Sequence, residues 1–203
     1  MIVNSIFEHQ TYYFYCSDTD LYQNTELISK IDILLSLPLI VNRTKGGKYD
    51  SAQGTVLTSA GNEESDIVHM PGAEALVEWI TSQILKTSPT AQTIEYKRSW
   101  VNKMFKDSQG LVHAHVHPDY KIPPVDFVAI FYLQVPDNGS DLIFIKEGEF
   151  NTPYSDYPIR DRHHIKCSSG DLIVHSPLAY HAVSKHLSDT PRICLVFEGM
   201  YCG

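Results

Sequence analysis

The spacing of apolar residues changes near residue 92, and this change divides the chain into two parts. In the first part, two stretches repeat apolar residues at helical spacing. Residues 24–37 predict a helix with Asn24 as its N-cap and Pro38 beyond its end, and 71–86 predict a second helix with Pro71 in its first turn. Residues 6–16 are aromatic and predict one or two strands. The predicted buried faces are Leu27, Ile28, Ile31, Leu34 and Leu35 in one helix, and Leu76, Val77, Ile80, Ile84 and Leu85 in the other.

From residue 93 onward the sequence predicts short strands separated by turn residues, with no helical stretch. The segments are 93–105, 111–118, 126–136, 141–147, 163–167, 171–177, 181–186 and 192–201. Many short strands with regular turns are typical of a β-sandwich or β-barrel. The chain of 203 residues is therefore expected to be a single domain, 1–203, in which 1–92 supply N-terminal strands and supporting helices to a core formed by 93–203.

Charge and composition narrow the classes of partner. The formal net charge is −8 and no long basic cluster occurs, which argues against binding to nucleic acid. No apolar run reaches the length of a membrane span, and residues 1–16 lack the features of a signal peptide. The four cysteines show no C-x-x-C spacing, so free thiols in a reducing cytoplasm are expected. The oligomeric state is left open, with a homodimer among the options.

The segment GLVHAHVHP, residues 110–118, carries the main chemical signal. In an extended strand His113, His115 and His117 fall on one face, and Val112, Ala114 and Val116 fall on the other. Asp119 continues the histidine face, so the chain offers two overlapping ligand pairs, His115 with His117 and His117 with Asp119. Ligands two residues apart on a strand converge on one ion, and the segment therefore predicts a metal site. His113 lies farther back on this face and is expected to pack behind the ligands.

Two later residues complete the predicted site. His181 follows the apolar strand that ends at Pro177 and is the candidate third ligand. Arg192 begins the apolar run ICLVF, where a charge is costly unless it is paired. An inward-pointing arginine is well suited to bind a carboxylate through two parallel hydrogen bonds. Two histidines and one carboxylate that leave coordination positions open are the facial arrangement of non-haem Fe(II) oxygenases.

The segments SWVNK, GLVHAHVHP, FVAIFYLQVPDNGSDLIF, GDLIVHSPLAYHAV and RICLVF, in this order, resemble the 2-oxoglutarate/Fe(II)-dependent oxygenases of the prolyl-hydroxylase-like branch. The resemblance covers roughly residues 96 to 199. It implies a mainly β fold with flanking helices, a double-stranded β-helix (jelly roll, cupin-like), with Fe(II) and 2-oxoglutarate as cofactors. It also implies that Arg192 and Tyr132 hold the 2-oxoglutarate carboxylate. Asn102 matches the W-x-N sequence that precedes the histidine strand, and it is included among the cofactor-binding residues.

The resemblance leaves two ligand sets in competition. His117, Asp119 and His181 form the two-histidine, one-carboxylate set of the wider superfamily. The alternative set is His115, His117 and His181. It matches the H-x-H-P motif of the nearer family and would form a three-histidine site. We prefer the first set because one carboxylate offsets part of the metal charge, and we keep His115 as the alternative ligand.

The expected function is a dioxygenase that uses Fe(II), 2-oxoglutarate and O2 to hydroxylate an unidentified small-molecule or peptide substrate. One alternative is a cupin-type metalloenzyme that does not use 2-oxoglutarate, because G-x4-H-x-H resembles the opening cupin motif. The usual cupin glutamate is missing, since residues 121–125 read KIPPV. The other alternative is a non-catalytic jelly-roll binding module with an incidental histidine cluster. Arg192 favours the oxygenase, and the metal content of the protein separates both enzymes from the binding module.

Overall fold

The structure is a computed structural model that describes residues 1–37, 56–60, 66–115, 124–146 and 161–203. Helical spacing and capping explain the N-terminal helices. The Asn24 side chain accepts hydrogen bonds from the backbone N–H groups of Glu26 (2.9 Å) and Leu27 (3.3 Å), which is the N-cap predicted from the sequence. The N-terminal elements are β1 (Ile2–Ile6), β2 (His9–Tyr15), α1 (Thr19–Tyr22), α2 (Thr25–Ser36), β3 (Val56–Thr58), a 3-10 helix (Ile67–His69) and α3 (Glu74–Leu85).

The later part of the chain forms strands, as predicted. They are β4 (Thr93–Met104), β5 (Gly110–His113), β6 (Phe127–Gln134), β7 (Leu142–Ile145), β8 (Arg162–Ile165), β9 (Asp171–His175), β10 (His181–Val183) and β11 (Arg192–Cys202). Each of these strands overlaps one predicted segment. The largest difference is β5, which ends at His113, whereas the predicted segment continued to Pro118; residues 116–118 lie outside the described residues.

Two antiparallel sheets form the fold. One has the strand order β1-β2-β9-β6-β11-β4-β3, and the other has the order β5-β10-β7-β8. From β4 to β11 the chain passes repeatedly from one sheet to the other, and their apolar side chains share one buried cluster that includes Ile130 and Val196 from the first sheet and Phe144 from the second. This is the predicted double-stranded β-helix, or jelly roll. β2 and β3 extend the first sheet by pairing with β9 and β4.

Strands β6 and β11 are buried on both faces, and their alternation separates two cores. Phe131, Leu195 and Phe197 face outward and pack with the apolar stripes of α2 and α3. Val128, Ile130, Tyr132, Cys194 and Val196 face inward, between the sheets. The helices therefore cover the outer face of the larger sheet, as predicted, and the space between the sheets is left for the functional residues. The division of the chain at residue 92 stays a prediction.

Among the helices in the described part of the chain, none has the length and apolar character needed to cross a membrane.

The helix–sheet core predicts a contrast between two isoleucines. Ile80 of α3 is fully buried, whereas Ile33 of α2 is 57% exposed. Ile80→Ala should lower the free energy of unfolding by roughly 2–5 kcal/mol because it removes buried methyl groups and leaves a cavity. The matched Ile33→Ala should change it by less than about 0.5 kcal/mol. Urea unfolding measures both, and equal effects would contradict the packing of α3 on the sheet.

Candidate metal centre

Three histidines meet where the end of β5 lies beside β10. His113 is the register partner of His181 across the two strands, and His115 lies two residues beyond the end of β5. The backbone N–H of His115 donates to the carbonyl of Pro177 at 2.9 Å, which holds this segment beside the turn before β10. One ring nitrogen from each of the three lies within 4.8 Å of the others. The cluster runs from the exposed His113 to the buried His181, so it can be reached from solvent.

The hydrogen bonds of the three rings determine their tautomers. The Nδ1 atom of His113 lies 2.8 Å from the carbonyl oxygen of Leu111, and that of His181 lies 3.0 Å from the carbonyl oxygen of Ala179. A carbonyl oxygen can only accept, so each Nδ1 carries the proton. In a neutral ring the Nε2 atom then has a free lone pair, which is the atom available to a metal.

The Nε2 atoms of His115 and His181 face each other at 3.4 Å. His115 has its Nδ1 against a carboxylate oxygen of Glu198, so its Nε2 also carries a lone pair when the ring is neutral. Two lone pairs at this distance repel unless a cation lies between or beside them. The donor set therefore fits a metal ion that accepts imidazole nitrogen.

Burial keeps the innermost ring neutral. Burial, together with the neighbouring rings of His113, His175 and His115, holds the pKa of His181 well below its usual value. His175, on β9, is also buried, and its ring centroid lies 4.9 Å from that of His181. Burial lowers the pKa of His175 to about 3, with the nearby His115 adding to the shift. Both imidazoles are therefore uncharged at neutral pH, as metal ligands and acceptors must be.

Glu198 is a fully buried carboxylate that stands behind the cluster. It bonds to His115 through one oxygen, and Arg98 donates to the other oxygen, with the Arg98 Nε atom at 2.7 Å. Burial raises the pKa of the Glu198 carboxyl, but the bond from His115 and the charge of Arg98 outweigh this effect and leave the pKa below its usual value. Glu198 is therefore ionised.

Arg192 is the first residue of β11 and lies on the same inward face as Glu198, six residues before it. It is 2% exposed, and its guanidinium carbon is 4.8 Å from the ring centroid of Tyr132. Its other contacts are weak acceptors, the sulfur atoms of Met104 (3.4 Å) and Cys194 (3.7 Å). Arg192 Nε and the Tyr132 hydroxyl are buried with no hydrogen-bond partner of normal geometry, and no described carboxylate forms an ion pair with Arg192. A buried cation without an anion is a site that fits one.

Asn102, the third predicted cofactor-binding residue, lies on the strand next to Arg192. It is the register partner of Cys194 across β4 and β11, and its side chain contacts the Cys194 thiol. Asn102, Arg192 and Tyr132 are thus brought together at one end of the space between the sheets. Their assignment as cofactor-binding residues stays a prediction.

The predicted ligands are only partly described. His181 and the alternative ligand His115 lie in the cluster, whereas His117 and Asp119 lie outside the described residues. His113, which we expected to pack behind the ligands, is instead a member of the cluster. Its register pairing with His181 explains this, since the pairing turns the His113 ring toward β10. The ligand set itself stays a prediction.

Sequence reasoning missed Arg98 and Glu198. Glu198 interrupts the apolar run of β11 and shares its inward parity with Arg192, Cys194 and Val196, so alternation alone placed a second charge inside the fold. The hydrogen bond between His115 and Glu198 could not be predicted from this alternation, because 83 residues separate His115 from Glu198.

The buried His175 predicts a dependence of stability on acid. Above the unfolded pKa of about 6.5 the ring is neutral in both states; as the pH falls, the unfolded chain takes up a proton that the folded chain excludes. This single group should lower the free energy of unfolding of the metal-free protein by about 2 kcal/mol between pH 7 and pH 5. His175→Gln should lose that part of the slope, whereas His163→Gln, at an exposed site on β8, should keep it. Urea unfolding at the two pH values tests this, and parallel slopes in all three proteins would refute it.

Comparison with known proteins agrees with the predicted fold. No protein-family model matches the sequence, and no curated protein is significantly similar to it. Solved structures match with high probability. A non-haem α-ketoglutarate-dependent carbocyclase, SnoK from nogalamycin biosynthesis, is 15% identical with a TM-score of 0.66, over 93% of this chain and 78% of that one. HygX from Streptomyces hygroscopicus, crystallised with nickel, 2-oxoglutarate and hygromycin B, is 11% identical with a TM-score of 0.59, over 94% and 82%.

A prolyl-4-hydroxylase from Pseudomonas putida is 14% identical with a TM-score of 0.54, over 97% of this chain and 95% of that one. At such low identity the similarity concerns the fold. The predicted double-stranded β-helix is thus confirmed by its own topology and by these neighbours: the chain has the jelly-roll fold of the 2-oxoglutarate-Fe(II) oxygenases.

Proposed function

We propose that this protein is a non-haem Fe(II)- and 2-oxoglutarate-dependent dioxygenase that hydroxylates a small-molecule or peptide substrate in the cytoplasm. The observation that carries the proposal is the buried Arg192 beside Tyr132, which forms no ion pair with any carboxylate in the described part of the chain and lies in the same inter-sheet space as the histidine cluster. A structural metal site or a cupin that binds only metal has no need for a buried arginine. A dicarboxylate cofactor needs one, because it must be held at the end away from the metal.

The residues present fit both cofactors. The Nε2 lone pairs of His115 and His181, with His113 beside them, suit a divalent iron, and the unpartnered Arg192 Nε atom suits a carboxylate. When bound, Fe(II) and 2-oxoglutarate supply the activation of O2 and the oxidising power for hydroxylation.

The chain's own residues bind, orient and exclude water. Arg192 stays charged at any working pH and offers a planar fork of donors to the far carboxylate. Tyr132 is positioned to add its hydroxyl, which has no other partner of normal geometry in the described structure. The apolar side chains between the sheets, among them Ile130, Phe144 and Val196, keep this space dry, which strengthens each charged contact inside it.

The structural neighbours support the proposed class of substrate. HygX was crystallised with 2-oxoglutarate and hygromycin B, and the Pseudomonas putida neighbour is a prolyl-4-hydroxylase. Proteins of this fold therefore include one that was crystallised with a small molecule and one that is named for the hydroxylation of prolyl residues. The acidic net charge of −8 supports the exclusion of nucleic acid as a partner.

Substitution of Arg192 tests the cofactor. Arg192→Met should keep Fe(II) affinity but weaken 2-oxoglutarate binding by roughly 2–5 kcal/mol, a few tens to a few thousandfold. Arg192→Lys should recover only part of it, because an ammonium lacks the fork. The measurement is anaerobic titration with Fe(II) and then with 2-oxoglutarate, following the visible charge-transfer band of the chelate. Unchanged 2-oxoglutarate affinity in Arg192→Met would favour the cupin reading instead.

The same variant has an internal control for folding. Arg192→Met replaces a buried cation, which has no carboxylate partner among the described residues, by an apolar side chain of similar length, so the metal-free protein should unfold at the same temperature or higher. Loss of 2-oxoglutarate binding together with retained or raised thermal stability would separate a functional role from a structural one.

Alanine substitutions identify the ligands. Co(II) serves as the test ion in place of Fe(II). We expect His181→Ala and His115→Ala to weaken Co(II) binding by orders of magnitude, because a three-ligand site cannot spare one ligand. His113→Ala should also weaken it if the described cluster is the complete set. If His117→Ala and Asp119→Ala lose the metal while His113→Ala and His115→Ala keep it, the set preferred from the sequence is correct. If His181→Ala keeps wild-type affinity, the proposed metal site is wrong.

A further inference from the structure

Glu198 is a buried charge that the proposed function does not use. Its side chain is fully buried on the inward face of β11, where an isolated carboxylate would be strongly disfavoured. Two partners stabilise it. Arg98, on the adjacent strand β4, approaches one oxygen with two nitrogens, and the His115 ring binds the other. A carboxylate held on one side by a guanidinium and on the other by a candidate ligand is placed to act on that ligand.

His115 is oriented differently from the other two members of the cluster. His113 and His181 donate from Nδ1 to the carbonyl oxygen two residues earlier on their own segment. His115 instead donates to a side chain that comes from the opposite sheet. A second contact comes from Trp100, whose ring stacks on that of His115 with a centroid distance of 5.9 Å and an angle of 25° between the planes. The orientation of His115 therefore depends on β4 and β11.

The pairing of β11 with β4 is irregular next to Glu198, whereas the pairing of β11 with β6 is regular there. The pairing of β11 with β4 shifts register between Glu198 and Gly199. At Gly199 a Cβ atom would lie 2.5 Å from the Glu95 carbonyl oxygen and 2.6 Å from the Phe127 ring, so only glycine fits. The extra residue belongs to β4, because Arg98 pairs with Glu198 and Tyr96 pairs with Gly199, which leaves Lys97 as the bulge. The sheet is thus locally distorted beside Arg98, the residue that binds the Glu198 carboxylate.

A carboxylate behind an imidazole has two effects on a metal ligand. It fixes the tautomer that leaves Nε2 free, and it raises the basicity of that nitrogen. It also brings a negative charge to within one ring of the ion without occupying a coordination position. The described cluster, His113, His115 and His181, contains no carboxylate of its own.

We propose that Glu198, clamped by Arg98, is the positioning residue of the metal centre. It holds His115 as the Nδ1-protonated tautomer and supplies, through that ring, the negative charge that a carboxylate ligand would otherwise supply directly. This inference deepens the proposed function and rests on it for the presence of the metal.

The test compares Glu198→Gln with Glu95→Gln. Glutamine keeps the size and an acceptor oxygen but removes the charge. Glu95 lies on β4 in an exposed ion pair with Lys97, so Glu95→Gln removes one carboxylate without touching the cluster. Co(II) affinity and the visible Co(II) spectrum are measured for both variants. Glu198→Gln should bind Co(II) roughly 10–100-fold more weakly than wild type and shift the spectrum, whereas Glu95→Gln should match wild type.

A second measurement needs no metal. The ¹⁵N chemical shifts of the His115 ring in the metal-free protein report which nitrogen carries the proton. Wild type and Glu95→Gln should show protonated Nδ1, and Glu198→Ala should show a mixture of tautomers or protonated Nε2. If Glu198→Gln alone unfolds because Arg98 is left unpaired, the double variant Arg98→Gln/Glu198→Gln removes both charges and should fold, still with weakened Co(II) binding.

The outcomes separate this inference from the proposed function. If wild type binds Co(II) and loses it in His181→Ala, but Glu198→Gln and the double variant bind within threefold of wild type, the role of Glu198 is wrong and the metal site stands. An unchanged His115 tautomer in Glu198→Ala would overturn it in the same way. If wild type binds no Co(II), the proposed function fails, and the charge-supplying role of Glu198 fails with it.

Discussion

Strand β11 imposes the constraint on which the rest of the structure depends, because it lies inside the larger sheet and must bury both of its faces. The outward side chains Ile193, Leu195 and Phe197 pack with the helices. That packing is ordinary hydrophobic burial, and it supplies the stability of the strand. The inward face is then free to carry residues that contribute little to stability. It holds Arg192 at the start of the strand and Glu198 six residues later.

The two buried charges, Arg192 and Glu198, differ in the partners that surround them. They are six residues apart, about 20 Å along an extended strand, so neither neutralises the other. The negative charge of Glu198 is balanced by Arg98, and the other oxygen of its carboxylate accepts a hydrogen bond from His115. Arg192 contacts the sulfur atoms of Met104 and Cys194 and the side chain of Tyr132, and among the described residues no carboxylate forms an ion pair with it. A buried cation that has no anionic partner is costly, and this difference is why we propose Arg192, and not Arg98, as the residue that binds an anion.

The histidines of the inter-sheet space come from both sheets. His113 and His181 come from the smaller sheet, and His175 comes from β9 in the larger one. The rings are close together because the sheets face each other across a dry interior, not because they are close in sequence. Burial lowers the pKa of His181 and His175, which keeps them uncharged and available as lone-pair donors at neutral pH. Burial in the fold thus keeps these two rings neutral before any cation binds.

The sequence alone determined the parts that depend on local periodicity. The Asn24 cap, the apolar stripes of two helices and the alternation of the strands each follow from the preferences of neighbouring residues, so the jelly-roll class could be predicted. The inward position of Arg192 could be predicted too, because a charge at the head of a buried strand needs a partner. The tertiary structure alone decided which distant residues meet. The pairing of His113 with His181 depends on the register between β5 and β10, and the contact of His115 with Glu198 joins residues that are 83 positions apart in the sequence. Register and long-range contacts are set by the packing of the whole sheet, to which every strand contributes, and no local pattern specifies them.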